Sequence, residues 1–361
     1  MAAQGPPGAK RGDGMPREQN KMKTTDRSSS AEAKDVNEAI SEALPGHVCL
    51  ISLADWKYSG QMMFLKKDLY VRSVRFNLSL DSLPPDKHDP EGRVIAADFE
   101  PFVVLTTYSP NNGGNKKSFE RRRLWDERMK KFVQGVQKPL IWVGDLNCAP
   151  EDVDLSDPER FRSVIHEEPG EPIDPDNIGQ AGCTDAERRR FASILQAGDL
   201  VDAFRVLNPR KEPPSLESAE YSWRGKPCWG GRGPRALFKG LGMRLDHVIL
   251  SESLMKAVED VRICGSGTQM RNFFGSDHCP VLLRLKEEVA CALPSFESDA
   301  FSPAHSVTAA VGGSSKTKGL ANYWASKGEN RSAQPKAKTE DVVVLSDSSA
   351  DGEKDGKRKG K

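Results

Sequence analysis

The sequence contains no run of about 18 consecutive apolar residues, so nothing in it predicts a membrane-spanning helix. Its first residues lack the apolar stretch of a secretory signal, and none is expected there. Cysteine is sparse and scattered. The seven thiols (Cys49, Cys148, Cys183, Cys228, Cys264, Cys279 and Cys291) are odd in number and never spaced as CxxC. That pattern excludes a disulfide frame and a zinc site, and reads as reduced thiols of an intracellular protein. An excess of one charge is missing too: 53 Lys and Arg face 52 Asp and Glu, for a net +1. A nucleic-acid surface, if there is one, must be a local basic face.

The 361 residues are enough for one core of roughly 250 residues between low-complexity ends. Residues 1–30 are rich in Gly, Pro, Lys, Arg, Ser and Asp, with almost nothing to bury, which predicts disorder. Residues 31–290 carry the apolar patterning of a domain, and residues 291–361 return to Ser, Gly, Ala and Lys. A helix is expected over Ala33 to Leu44, ended by Pro45-Gly46. Strands are expected at His47 to Leu53, Tyr58 to Leu65, Val71 to Leu80, Val94 to Phe99 and Phe102 to Tyr108. The clearest helix runs from Lys117 to Val136, with Trp125, Met129, Phe132, Val133 and Val136 on one face. Arg121, Arg122 and Arg123 begin it and suit a solvated face or phosphate contact.

Next comes Leu140-Ile-Trp-Val-Gly-Asp-Leu-Asn147. Its continuous apolar run is that of a strand covered on both faces, and period-2 geometry sends Asp145 and Asn147 to one side. The same residues equally suit an ordinary Asp-Asn turn. After a polar insertion from Glu151 to Gly182, Thr184 and Glu187 form a capping box for a helix ending at Gly198. Leu200 to Leu207 is a short apolar segment. Strands Met243 to Leu250 and Pro280 to Leu285 follow, with a helical turn between them at Ser253 to Val258. Many short strands without strict strand-helix alternation suggest an α/β sandwich of two packed mixed sheets with outer helices.

Four polar clusters fall at strand ends or turns: Tyr108 with Asn111, Asp145 with Asn147, Asp246, and Asp277 with His278. Metal-assisted phosphodiester hydrolysis needs this inventory. An acid aligns water, carboxylates hold a hard cation, and donors stabilise charge on phosphorus. No cluster is specific alone, since an isolated Asp-His pair also serves as a structural hydrogen bond.

Their order is informative. Gly92-Arg-Val-Ile, Tyr108-Ser-Pro-Asn-Asn112, Trp142-Val-Gly-Asp-Leu-Asn147, Cys183-Thr-Asp-Ala-Glu-Arg188, Arg244-Leu-Asp246 and Gly275-Ser-Asp-His-Cys-Pro280 occur in sequence. The set resembles the exonuclease III type of apurinic/apyrimidinic endonucleases, within the endonuclease/exonuclease/phosphatase superfamily. The likeness covers roughly Leu44 to Leu285. Ser52-Leu-Ala-Asp-Trp-Lys57 and Tyr58-Ser-Gly60 look closest to plant-like eukaryotic members. The resemblance implies a four-layer α/β sandwich over residues 31–290. It also implies an Mg²⁺-dependent (Mn²⁺ possible) DNA repair enzyme that cuts 5′ to abasic sites in double-stranded DNA, with 3′ exonuclease or end-trimming activity as a companion.

By the same resemblance Tyr108 and Asn111 contact phosphate or orient the site. Asp145 aligns and deprotonates water, and Asn147 steadies it. Asp246 holds the imidazole of His278 against the scissile phosphate. Asp145, Asn147, Asp277 and His278 place the metal. Arg93 matches a position near the family's DNA-facing surface. Tyr221, Trp223, Met243 and Leu245 fall where the family builds an apolar pocket for a flipped-out sugar, with Met243 where many members carry Trp. Core packing explains those four equally well.

Two of the family's features are not found: an opening strand with Asn-x-Asn, and a strand ending in Gln-Glu-Thr-Lys whose Glu binds metal. Glu18 is only a faint echo of the second. Two internal strands are therefore expected to be missing, leaving unpaired edges. The sequence suits an N-terminally incomplete active enzyme, or a catalytically impaired paralogue that serves as a DNA-binding repair adaptor.

In the tail, residues 317–324 (Thr-Lys-Gly-Leu-Ala-Asn-Tyr-Trp) resemble a sliding-clamp-binding box without its leading Gln. Residues 341–349 (Asp-Val-Val-Val-Leu-Ser-Asp-Ser-Ser) resemble a SUMO-interacting motif, suited to strand addition at a partner's sheet edge. The basic end, Lys354 to Lys361, suits nuclear targeting or nonspecific DNA contact. A nuclear monomer is expected.

Overall fold

The computed structural model describes residues 38–40, 42–52, 54, 59–166, 170, 172–225, 239–286 and 343–344. The readings of residues 1–30, of Glu18, of the clamp-like box at 317–324 and of the basic end lie outside these, as does most of the 341–349 motif.

In chain order the strands are β1 (His47–Ser52), β2 (Gln61–Lys66), β3 (Ser73–Arg75), β4 (Val94–Asp98), β5 (Val103–Thr107), β6 (Leu140–Asp145), β7 (Leu200–Asp202), β8 (Trp223–Arg224), β9 (Gly242–Met243), β10 (Asp246–Ser251), β11 (Val258–Ile263), β12 (Val281–Leu285) and β13 (Val343–Val344). The named helices are α1 (Lys116–Gly135), α2 (Pro158–Arg162), α3 (Asp185–Ala197) and α4 (Ala203–Leu207).

A six-stranded sheet in the order β3-β4-β5-β6-β10-β7 forms the centre. β6 runs parallel to β5 and antiparallel to β10. Its apolar residues alternate between two cores. Ile141 and Val143 join one with Ile95, Val248, Leu250 and Val281, on the side of the second sheet. Leu140 and Trp142 join the other with Trp125, Met129 and Phe132 of α1 and Phe191 and Ile194 of α3. Burial on both faces is what the unbroken apolar run of this strand predicts. The layers thus run helices, central sheet, second sheet: a mixed α/β sandwich.

Among the described residues the second layer is in two pieces, β1-β2 and β11-β12-β13, which no strand pairing joins. β13 comes from the apolar run of the tail. It pairs antiparallel with β12, Val343 opposite Leu282 and Val344 opposite Val281. Strand addition was expected at a partner's edge, and here the edge is the chain's own.

Four local expectations need correction. Val71 to Leu80 is a strand only at Ser73–Arg75. The Asn77 carboxamide donates to Pro84 O and Lys87 O and accepts from Ser79 N, curling the chain into a turn. Leu200 to Leu207 divides into β7 and α4, because Asp202 caps the helix by accepting from Arg205 N. Met243 to Leu250 divides between β9, paired with β8, and β10, paired with β6. β11 was not foreseen, since its exposed edge carries Glu259 and Arg262 among only three buried apolar residues.

Candidate active site

The penultimate residue of β6 is a glycine for a steric reason. Gly144 has φ +126°, and a Cβ there would lie 2.2 Å from the carbonyl oxygen of Thr107 on β5. No other residue fits. The strand then delivers Asp145 into a buried turn. Asn147 adopts a left-handed φ of 46°, which Asn tolerates better than most residues. Its backbone N–H donates to Asp145 Oδ1 and its Nδ2 to Asp145 Oδ2, both at 2.9 Å. Asp145 and Asn147 therefore meet through an Asx turn, and not through the strand periodicity expected of them. Asn111 Nδ2 donates to Asn147 Oδ1 at 3.0 Å, which brings the Tyr108-Asn112 loop to the same place.

β10 supplies the second carboxylate. Asp246 is the register partner of Asp145, so two acids sit directly opposite across neighbouring strands. Like charges so placed repel unless something lies between them. His278 does: its Nδ1 is 2.8 Å from Asp246 Oδ2, and its Nε2 is 4.0 Å from Asp145 Oδ2. Burial alone would hold the imidazole neutral. The Asp246 and Asp145 carboxylates, together with the Asp246 hydrogen bond, outweigh that and raise its pKa above the ordinary value. Burial raises Asp145 in turn, with His278 pulling the other way and Asp246 adding to the rise. The result is a buried acid with its pKa pushed up to about 6, beside a ring held towards its protonated form.

The ligand atoms of Asp145, Asp246 and His278 lie within 4.8 Å of one another and could hold a metal ion. Two carboxylates suit a hard divalent cation. Because Nδ1 of His278 is engaged by Asp246, only Nε2 faces an ion or a phosphate oxygen. Asp277 falls outside this group, and its Oδ2 accepts from Trp223 Nε1 at 3.3 Å. The Asn147 carboxamide is shared among Asp145, Asn111 and the carbonyl of Ser109. Asp246 holds the ring, as the resemblance implies, and also offers a carboxylate to the cluster.

A model of the endonuclease/exonuclease/phosphatase family matches residues 55–278. The chain belongs to that family. It is 43% identical over 239 residues to a DNA-(apurinic or apyrimidinic site) endonuclease of Arabidopsis thaliana, covering 65% of this chain and 62% of that protein. It is 40% identical over 295 residues to a Plasmodium falciparum protein of the same description, covering 76% of this chain and 45% of that one. The chain spans about half the length of the curated relatives it matches. A Neisseria 3′ phosphatase solved with a product DNA hairpin shares the fold. Its TM-score is 0.50 at 24% identity, with 70% of this chain and 84% of that one covered.

The remaining expected residues of this family member separate into two groups. Tyr108 is half-buried at the site's edge, and burial, followed by the Asp145 charge, raises its phenol pKa. Arg93 is not on an open DNA-facing surface. It is buried, donating from Nε to Glu91 and from Nη1 to the carbonyl of Tyr108, with its guanidinium 4.7 Å from the Tyr108 ring centroid. An arginine held in this way beneath a tyrosine positions that tyrosine. Tyr221, Met243 and Leu245 are buried as well. Met243 and Leu245 pack with Leu155 and Phe161, and the Tyr221 hydroxyl donates to Pro214 O. Only Trp223 of the four keeps partial exposure.

Two positioning devices escaped the sequence reading. Arg122 belongs to neither a solvated face nor a phosphate site. It is buried on α1, ion-paired with Asp126, and donates to the carbonyls of Pro110, Leu146 and Asn147. One guanidinium thereby ties both site loops together. The signal was Asp126 four residues on, the spacing of a helical ion pair. Arg244 stands two residues before Asp246. Its Nε donates to Asp154 Oδ1 at 2.8 Å and its Nη1 to Asp202 Oδ2 at 2.6 Å, with His247 Nδ1 at 2.9 Å. This network fixes the start of β10. Nothing local in the sequence joins residues 154, 202 and 244.

Proposed function

We propose that this chain is a nuclear, Mg²⁺-dependent DNA repair endonuclease. It hydrolyses the phosphodiester 5′ to abasic sites in duplex DNA, with 3′ end trimming as a secondary activity. One observation carries the reading: a buried carboxylate already held by two donors lies across one strand pair from a carboxylate-imidazole couple. Asp145 accepts the proton of an attacking water, and its raised pKa suits a general base working near neutral pH. Asn147 and Asn111 fix the direction of that carboxylate. His278, anchored by Asp246, offers Nε2 as a donor to a non-bridging phosphate oxygen where charge develops. A bound divalent cation, held by Asp145 and Asp246 beside His278, would polarise the phosphoryl group and neutralise its charge.

The names of the Arabidopsis and Plasmodium relatives support abasic-site chemistry as the reading, above the other reactions open to the family. Partners beyond DNA are read from the tail alone: a sliding clamp through residues 317–324 and SUMO through 341–349, on a monomeric enzyme. The deciding experiment is incision of a synthetic duplex with one abasic site, with Mg²⁺, with Mn²⁺ and after chelation. Cleavage 5′ to the site that stops on chelation is expected. Retained duplex binding without cleavage in any metal would turn the reading into that of a DNA-binding adaptor.

A further inference from the structure

The loop between β11 and β12 leads directly into Asp277-His278 and is built under unusual backbone constraint. Met270, Asn272 and Phe274 all have positive φ (53°, 62° and 51°), as does Gly275 at 88°. Non-glycine residues adopt this region rarely, and bulky ones least of all. The loop is nevertheless tied down. Ser266 and Arg271 exchange both backbone hydrogen bonds, Asn272 Nδ2 donates to Cys264 O, and Thr268 Oγ1 donates to Glu217. Phe273 points inward and is buried in the main core. Phe274 points outward and is 83% exposed, whereas the next most exposed large apolar residue among the described residues, Val206, is at 52%. A fixed loop thus spends a strained conformation to hold a bare phenyl ring in water. It lies four positions before His278, so the two Cα atoms are within about 14 Å of each other. The neighbouring Arg271 is exposed too.

We infer that Phe274 is a stacking wedge that seats against an unstacked base beside the scissile phosphate, with Arg271 on the adjoining backbone. A planar apolar ring on a rigid loop fits the π-face of a base that has lost its neighbour, and stacking of this kind tolerates any sequence. A gap in the stack is what an abasic site presents, and wedges of this type enter where a base step is already weakened. The inference rests on the DNA reading above and names how that site recognises its substrate. The residue touches DNA and takes no part in proton transfer.

The test uses the full chain in an Asp145→Asn background, so that DNA is bound but not cut. Affinity is measured for a duplex containing a tetrahydrofuran abasic analogue and for the same duplex fully paired. A 2-aminopurine beside the analogue reports stacking. Phe274→Ala is expected to lower the preference for the abasic duplex by about tenfold or more, and to leave the 2-aminopurine signal at its free-DNA value. Phe274→Trp should restore both. The melting temperature should not move, since the ring is exposed. Equal preference and equal signal for wild type and Phe274→Ala would overturn the wedge while leaving the nuclease reading intact. Failure of every variant to bind either duplex would overturn the DNA reading, and the wedge with it.

Discussion

Two carboxylate clusters meet at the start of β10, one built around Arg244 and the other around Asp246 two residues on. Around Arg244, the acids Asp154 and Asp202 are each matched by guanidinium hydrogen bonds. Burial would raise both pKa values, but Arg244 dominates and both are lowered. Around His278, the acids Asp145 and Asp246 share one imidazole. Burial wins at Asp145 and its pKa is raised. The same chemical groups are compensated in one place and left short of positive charge in the other. A buried pair with full hydrogen bonding is a structural fixture, whereas a charge deficit marks where a cation or a charged transition state belongs. The contrast points to Asp145 and Asp246 as the working acids.

The sharpest way to break the comparison is Asp145→Asn. It should lower kcat for abasic-site incision by about 10³–10⁴-fold, with a melting temperature that holds or rises. Measured by gel-resolved incision and differential scanning fluorimetry, a variant that unfolds while its residual activity persists would reverse the assignment. Arg244→Met should do the opposite. Leaving Asp154 and Asp202 buried without their partner should cost about 3–5 kcal/mol in urea unfolding. A loss under about 1 kcal/mol would show that this network is not the structural member of the pair. Asp246→Asn should be milder. The ring of His278 keeps a hydrogen-bond partner but loses its charge, so kcat should drop about 10–100-fold. The acid limb of the pH-rate profile should shift with it, since His278 and Asp145 both feel Asp246. An unchanged profile would separate Asp246 from the reaction.

Much of this was legible in the sequence because the site residues are local punctuation. Asp145-Leu-Asn147 closes an apolar run, and Asp277-His278 sits in a Gly-Ser turn before one. The helix Lys116–Gly135 and the Thr184–Glu187 capping box followed from periodicity and from the reciprocal cap. What could not be read depends on contacts between distant residues. Arg93 and Arg122 look like surface cations in a polar context, yet tertiary carbonyls and carboxylates draw both inside. Asp246 holds the His278 ring as expected, but its place opposite Asp145 emerges only from the register of β6 and β10. Single-residue exposure is equally invisible: Phe273 and Phe274 are the same letter, and only the backbone separates core from solvent.

The finest test compares stability against pH for two conservative changes, Asp202→Asn and Asp145→Asn. Asp202 has a folded pKa below its unfolded value, which is ordinarily about 3.9. Its ionised form therefore adds stability above that value, and the contribution is lost as pH falls towards the folded pKa. Replacing it should lower stability at neutral pH and flatten the acid limb, by at most about 1.4 kcal/mol per pH unit for one proton. Asp145 has the reverse shift. Its contribution is fully present below the unfolded pKa and is lost as pH rises through the folded one, so removing its charge should lift stability at neutral pH and leave it nearly level in acid. Two Asp→Asn changes, equal in shape and volume, should tilt the same curve in opposite directions. Urea midpoints taken at several pH values from 3 to 8 would measure both. Curves tilting the same way would mean that the two clusters are electrostatically alike.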